Sequence, residues 1–217
     1  MNFTSKISRQ KLDEKVSKYK SDLKTLEIGS YGQPSNASFF INRIGLDIRS
    51  GKGVDVIGSV YELPFPDNSF DFVLCMGILE HLEYPHAAIP EMHRVLKPGG
   101  RIIVSVPFLF PIHDAPNDFW RFTKYGLKVL FKDWEIEELT AETNFNETFA
   151  TLFQRVGYQT KFYLNTIVKS IIFILANIIA KLPNMTRVVY GGIDKKVEEP
   201  EAFTSAFFLV ARKVSKQ

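Results

Sequence analysis

Residues 26–34 read LEIGSYGQP, and residues 43–50 read RIGLDIRS. The first stretch joins an apolar run and an acid, Glu27, to a pair of glycines; the second is another apolar run, carrying Asp47. A strand, a glycine turn, and then a second strand ending in an acid roughly 20 residues on is the arrangement in which a nucleoside lies across the carboxyl ends of a doubly wound sheet. Gly29 and Gly32 would let the backbone turn tightly and approach a ligand with no Cβ in the way, and Asp47 would accept both ribose hydroxyl protons. The third glycine of a GxGxG loop is absent, so a plain structural turn stands as the alternative.

Outward from that pair, apolar stretches alternate with helix-compatible ones, the pattern of a parallel sheet with crossover helices. TLEIGS (25–30), RIGLDIRS (43–50) and VDVIGS (54–59) are expected as strands one to three, with FDFVLCM (70–76) as strand four after a Pro-rich turn. IPEMHRVLKPGG (89–100) reads as a helix with apolar Ile89, Met92, Val95 and Leu96, closed by Pro98, Gly99 and Gly100. RIIVSVPF (101–108) is the fifth strand.

The composition narrows the function classes. A chain of 217 residues is expected to form a single domain. Its net charge is +3, with the basic residues scattered, which argues against nucleic acid as partner. The lone cysteine, Cys75, excludes an internal disulfide framework and any CxxC metal site, and suits a reducing compartment. His81, His86, His93 and His113 show no HxxxH or HExxH spacing, so no metal site is expected. MNFTSKISRQKLDEKVSKYK lacks the apolar core of a signal peptide; it reads as a charged surface helix, and a cytoplasmic location is expected.

The stretch from 45 to 107, with LPFPDNSFDFVLC, ILEHL and RVLKPGGRIIVSVP as its most specific pieces, resembles the class I S-adenosylmethionine-dependent methyltransferases of the type 11 group. LEIGSYG then fits as a divergent version of the same cofactor loop. The resemblance implies a Rossmann-like, doubly wound seven-stranded α/β sheet and S-adenosylmethionine as cofactor. Carried over by position, Glu27, Gly29, Ser30 and Gly32 would border the methionine part, and Asp47 with Ile48 would hold the ribose and flank the adenine. Ser59 and Val60 stand where the family usually has an acid contacting the adenine amino group, and Met76 and Gly77 would face the sulfonium.

FLFPIHDAPNDFWRFTKYGLKVLF (108–131) is similar to segments of type 11 methyltransferases found in polysaccharide and glycolipid biosynthesis. Its His113, Asp114, Asp118, Trp120 and Arg121 crowd a loop expected at the carboxyl edge of the sheet. His113 or Asp114 would serve as base for a hydroxyl acceptor, with Arg121 as a further candidate; an Asp118–Arg121 pair bracing the loop, with Trp120 as anchor, is the structural alternative. Glu80 and His81 are expected to cap and orient the helix after strand four, and Cys75 to be a buried inert thiol.

DWEIEELTAE (133–142) and AFTSAFFLVARK (202–213) are expected as strand six and an antiparallel strand seven, with residues 143–201 as a helical insertion between them. Within it, YLNTIVKSIIFILANIIAKL (163–182) places Ile167, Ile171, Ile174, Leu175, Ile178 and Leu182 on one helical face, widened by Ile172, Phe173 and Ile179. The uncharged run is shorter than the roughly 20 residues of a span. It reads either as a helix packed on its own domain or on a second subunit, or as an interfacial helix touching the inner face of a membrane through 163–182. Methyl transfer to a small-molecule, sugar or glycolipid acceptor is the function expected. The alternatives are a weakly binding, non-catalytic scaffold and a methyltransferase of a membrane quinone or lipid.

Overall fold

In the computed structural model, which describes residues 6–32, 36–184, 186, 189–193 and 196–214, seven strands form one sheet. They are β1 (Thr25–Ile28), β2 (Arg43–Asp47), β3 (Val56–Ile57), β4 (Phe70–Met76), β5 (Leu96–Pro107), β6 (Glu135–Ala141) and β7 (Ala206–Arg212). Their order is β3-β2-β1-β4-β5-β7-β6, parallel except for β7, which runs antiparallel to both neighbours. This is the expected doubly wound sheet.

The period-2 alternation of β4 sorts its side chains onto two cores. Val73 and Cys75 pack with α2 (Pro85–Val95) and α3 (Lys124–Leu130) through Ile89, Met92 and Leu127. Phe72 and Leu74 face the opposite way, towards Leu12 and Val16 of α1 (Ile7–Val16). The charged helix expected on the surface is therefore half-buried: Leu12 and Val16 seat it on the sheet, and Ile7 is buried against Ala150 and Ala176. Cys75 is buried and free, and burial pushes its thiol up, so it is inert.

The helix after strand four begins and ends earlier than its sequence suggests. It starts at Pro85, whose ring presets the helical φ at the first turn. It stops at Val95, because Leu96 is already extended (ψ 141°) and pairs with Phe70 across a register shift. LKPGG is thus the irregular start of β5 rather than a helix stop.

Between β6 and β7 stand two helices packed on each other, α4 (Phe145–Gln159) and α5 (Asn165–Lys181). The Asn144 side chain accepts the Glu147 N–H while the Glu147 carboxylate accepts the Asn144 N–H, a reciprocal cap that starts α4. Gly157 of α4 leaves room for Ile172 and Phe173 of α5, and Ala150 and Ala176 are fully buried with Ile7 of α1. This narrow small-residue seam packs α5 on its own domain through Ile172 and Ala176, which are buried, and not through the wide apolar face. Ile167, Ile171, Ile174, Leu175, Ile178 and the following Leu182 remain exposed. Among the described residues, no helix is long and apolar enough to cross a membrane.

Candidate active site

Chain order reverses between β1 and β4, and such a reversal opens a crevice at the carboxyl ends of the strands. The turn after β1 lines it. Gly29 (φ +75°) and Gly32 (φ +69°) both lie in the left-handed region. Gly29 donates to the Leu46 carbonyl at 2.8 Å and Gly32 to that of Lys52 at 2.9 Å, so the turn is pinned onto the β2 side. A Cβ on Gly29 would overlap the Ile78 side chain, whereas nothing lies within 4 Å of one on Gly32. The Ser30 hydroxyl does not border the crevice: it is buried beneath the loop, where a Cβ on Gly45 would approach it to 2.7 Å. Residues 33–35 of the loop lie outside the described residues.

Two carboxylates flank the turn. Glu27 is buried, and its Oε2 accepts from Arg43 at 2.7 Å. Asp47 is also buried; its Oδ1 accepts the Arg49 N–H at 2.9 Å and its Oδ2 the Tyr31 N–H at 3.3 Å. Against the upward push of burial, these hydrogen bonds, with Arg49 foremost, hold the Asp47 carboxyl below its ordinary value. A carboxylate has about four lone-pair sites; Arg49 Nε also donates to Oδ1, at 3.2 Å, so Asp47 keeps capacity for one ribose hydroxyl and takes a second only by displacing the exposed Arg49 side chain. Ile48 is exposed beside it, and Ser59 accepts the Tyr61 N–H at 3.2 Å. The Val60 side chain is turned away into the core, so only its backbone remains for an adenine. Asp47→Ala is expected to weaken S-adenosylmethionine binding by about 1.5–3 kcal/mol, roughly 10- to 150-fold, with calorimetry as the measurement.

Beyond the turn lies a cavity of about 430 Å³, within the usual size of a small-molecule site. Glu27 and Gly29, Met76 and Gly77 after β4, Ser105 of β5, His113 and Asp114 of the following loop, Arg155 of α4 and Lys6 and Arg9 at α1 all line it. The structure thus brings Glu27, Gly29, Met76 and Gly77 together with His113 and Asp114, while Gly32, Asp47, Ile48, Ser59, Val60 and Arg121 do not line this cavity.

The loop from 108 to 121 is stitched to the segment after β4. Phe119 and Trp120 donate backbone N–H groups to the Glu80 carbonyl at 2.8 and 3.2 Å, and the Trp120 indole donates to the Leu82 carbonyl at 2.9 Å. Arg121 commits its guanidinium to this loop: Nε donates to the Phe110 carbonyl, and Nη1 and Nη2 to Asp118 at 2.6 and 2.7 Å and to the Trp120 and Pro111 carbonyls. A guanidinium has five donors, and all are used, so Arg121 braces the loop instead of acting on an acceptor. Asp118 also accepts the His113 N–H at 2.9 Å, which fixes His113 at the cavity wall.

Glu80 and His81 are not caps. The 3-10 turn Leu79–His81 has no side-chain cap, and both side chains line the cavity. Burial pushes the Glu80 carboxyl up to about 8 and holds His113 below its ordinary value. Glu142, buried at the end of β6 with its carboxylate accepting from Ser105 at 2.5 Å, also lines the cavity; burial pushes it up to about 7. Sequence reasoning passed over Glu142, Arg155 and the α1 residues, since nothing local marks them; they reach the cavity only through the packing of β6, α4 and α1.

Residues 43–104 match the family model described as a methyltransferase domain. The matched residues run from β2 into β5 along the chain and leave out β1, which stands between β2 and β4 in the sheet. A demethylmenaquinone methyltransferase from Geobacillus kaustophilus is 34% identical over 110 residues, covering 46% of this chain and 47% of that protein. The crystal structure of the [4+2]-cyclase SpnF superposes with a TM-score of 0.61 at 18% identity, covering 96% of this chain and 82% of that one. A putative methyltransferase from Bacillus halodurans gives 0.53 at 17% identity over 94% and 99%. The first curated relatives are spanned over 23% to 64% of their length, less than two thirds.

The domain match and the fold together imply S-adenosylmethionine as cofactor. The donor set fits it: the ligand carries an ammonium and a sulfonium, and the crevice presents the Glu27 and Asp47 carboxylates on either side of a glycine turn. Glu27, Gly29, Met76 and Gly77 would hold the methionine and sulfonium part, and Asp47 the ribose.

Proposed function

We propose that the chain is an S-adenosylmethionine-dependent methyltransferase acting on the hydroxyl of a small-molecule, sugar or glycolipid acceptor. The observation that carries this reading is the continuous cavity joining the glycine turn after β1 to His81, His113 and Arg155. The cofactor supplies an electrophilic methyl group; the chain's own contribution is to hold an acceptor oxygen in line with it and to exclude water. Asp118 and Arg121 keep the His113 ring at the wall, and His113 and Asp114 meet the acceptor side. Lys6, Arg9 and Arg155 line the same cavity and suit an acceptor bearing an anionic group. Calorimetry with S-adenosylmethionine tests the reading: millimolar or tighter binding is expected, and none would leave a scaffold of methyltransferase fold.

A second reading, methylation of a quinone or lipid at the cytoplasmic face of a membrane, is favoured by the exposed apolar face of α5 and its flanking Lys169 and Lys181. Ile171 and Ile178 are 51% and 53% exposed. Changing both to Ser is expected to weaken binding to anionic vesicles at least tenfold, because burying each isoleucine in lipid is worth roughly 1.5–3 kcal/mol. The melting temperature should barely move, as surface substitutions cost within about 0.5 kcal/mol. A lower melting temperature with unchanged vesicle binding would assign the face to protein packing instead.

A further inference from the structure

Glu80, His81 and His113 meet at the wall of the cavity although 32 residues separate the two histidines in sequence. One ligand atom of each lies within 4.8 Å of the others. The two Nε2 atoms both stand 3.9 Å from Glu80 Oε1, and the two rings pack edge to face at 4.9 Å.

What occupies the far side of each ring decides which nitrogen carries hydrogen. His81 Nδ1 lies 2.6 Å from the Asn117 carbonyl. His113 Nδ1 lies 3.3 Å from the Asp118 carboxylate and 3.4 Å from the Pro111 carbonyl. Carbonyl and carboxylate oxygens only accept, so each ring donates from Nδ1 and turns the lone pair of Nε2 towards Glu80. Glu80 Oε2 is itself buried with no hydrogen-bond partner among the described residues. With Glu80 ionised, as a bound cation would hold it, three acceptors therefore converge with no donor among the described residues between them. A separation of 3.9 Å is too long for a hydrogen bond. It exceeds only slightly the roughly 3–3.6 Å between ligand atoms that each stand about 2.0–2.2 Å from one cation.

We propose that Glu80, His81 and His113 bind a divalent first-row transition cation, of which Zn²⁺ is the probe, leaving open positions towards the cavity. Two imidazoles and one carboxylate select such a cation over Mg²⁺ or Ca²⁺, which prefer all-oxygen shells. The second shell is in place: the Asp118 carboxylate orients His113, the Asn117 carbonyl orients His81, and Arg121 fixes Asp118. The open positions would take oxygen atoms of the acceptor, and His113 would then be a ligand, the cation lowering the pKa of the acceptor hydroxyl in place of a base. That last role rests on the proposed methyl transfer; the cation site does not.

The test uses the whole chain, stripped with a chelator and titrated by calorimetry with ZnCl₂, with MgCl₂ and, separately, with S-adenosylmethionine. One equivalent of Zn²⁺ at micromolar affinity or tighter is expected, with Mg²⁺ silent and Co²⁺ giving the visible bands of a nitrogen-containing site. Glu80→Gln, close to isosteric, and His81→Ala should each weaken Zn²⁺ at least about tenfold, with circular dichroism unchanged. Zn²⁺ binding that is absent, or unaltered in Glu80→Gln, overturns the proposal. Cofactor binding without Zn²⁺ binding would sink the cation site and spare the methyltransferase reading, and the converse result would do the opposite.

Discussion

Gly29→Val is expected to abolish measurable S-adenosylmethionine binding and to lower stability by roughly 2–5 kcal/mol. Two separate costs add. A side chain in the left-handed region costs about 1–2 kcal/mol, more for a β-branched residue, and Gly29 sits at φ +75°. The new Cβ would also overlap the Ile78 side chain behind the turn, and such overpacking costs about 1–3 kcal/mol. The backbone relieves this only by moving towards the crevice, where the cofactor is expected. Gly32→Ala separates the terms: φ is +69° there, but nothing lies within 4 Å of a new Cβ, so strain alone should appear, about 1 kcal/mol. In Gly29→Ala, adding Ile78→Ala should restore part of the binding by removing the overlap while keeping the strain. Calorimetry and thermal melts read both quantities. A Gly29→Val protein that binds like the wild type would show that the cofactor does not use this turn.

Arg121→Ala is expected to cost about 3–5 kcal/mol of stability, the scale of breaking a buried ion pair, and to abolish turnover while leaving cofactor affinity nearly intact. The Asp118 side chain is 1% exposed and takes two guanidinium bonds. Without the guanidinium it is a buried, uncompensated charge, and the carbonyls of Phe110, Pro111 and Trp120 lose their donor. The pH dependence gives an independent check. Arg121, together with the His113 N–H, holds the Asp118 carboxyl well below the carboxylate range. A carboxyl depressed in the folded state adds stability above its unfolded value of about 3.9, and that stability is lost as pH falls towards the folded value. The gap between wild type and Arg121→Ala in denaturant titrations should therefore be constant near neutrality and narrow below about pH 4. Arg121→Lys should recover little, since an ammonium cannot reproduce the planar fork. Equal losses of cofactor affinity and turnover would mean that the loop serves both halves of the site.

The elements read most directly from sequence are those whose pattern is local. Strand β4 is a run of seven residues, Phe70–Met76, as expected, because a strand buried on both faces needs a continuous apolar segment. The turn after β1 was legible for the same reason: a left-handed backbone position leaves glycine as its mark. The helix before β5 was misread at both ends, since LKPGG carries helix-stopping residues and only the pairing of Leu96 with Phe70 makes it strand. On α5 the apolar pattern showed a wide stripe and left open whether it packs on protein or lies on a membrane. Which stripe is covered depends on the small residues Ala150 and Gly157 of α4, and helix periodicity carries no information about the neighbour.

The candidate site divides along the same line. Glu27, Gly29 and Asp47 are held within one strand–turn–strand unit, so their placement follows from short-range spacing. Asp118 and Arg121 share a loop, yet whether Arg121 acts or braces was decided by the Phe110, Pro111 and Trp120 carbonyls that use up its donors. Glu80, His81 and His113 have no metal-ligand spacing in sequence; the backbone bonds from Phe119 and Trp120 to Glu80 bring the loop of His113 against the turn after β4. By itself the sequence marked the strands and the glycine turn, because each is set by contacts among neighbours in the chain or by one repeated period. Tertiary structure decided which side chains face the cavity, which charges are already paired and which apolar face stays open. Those properties depend on contacts between segments far apart in the chain, whose closure no local pattern encodes.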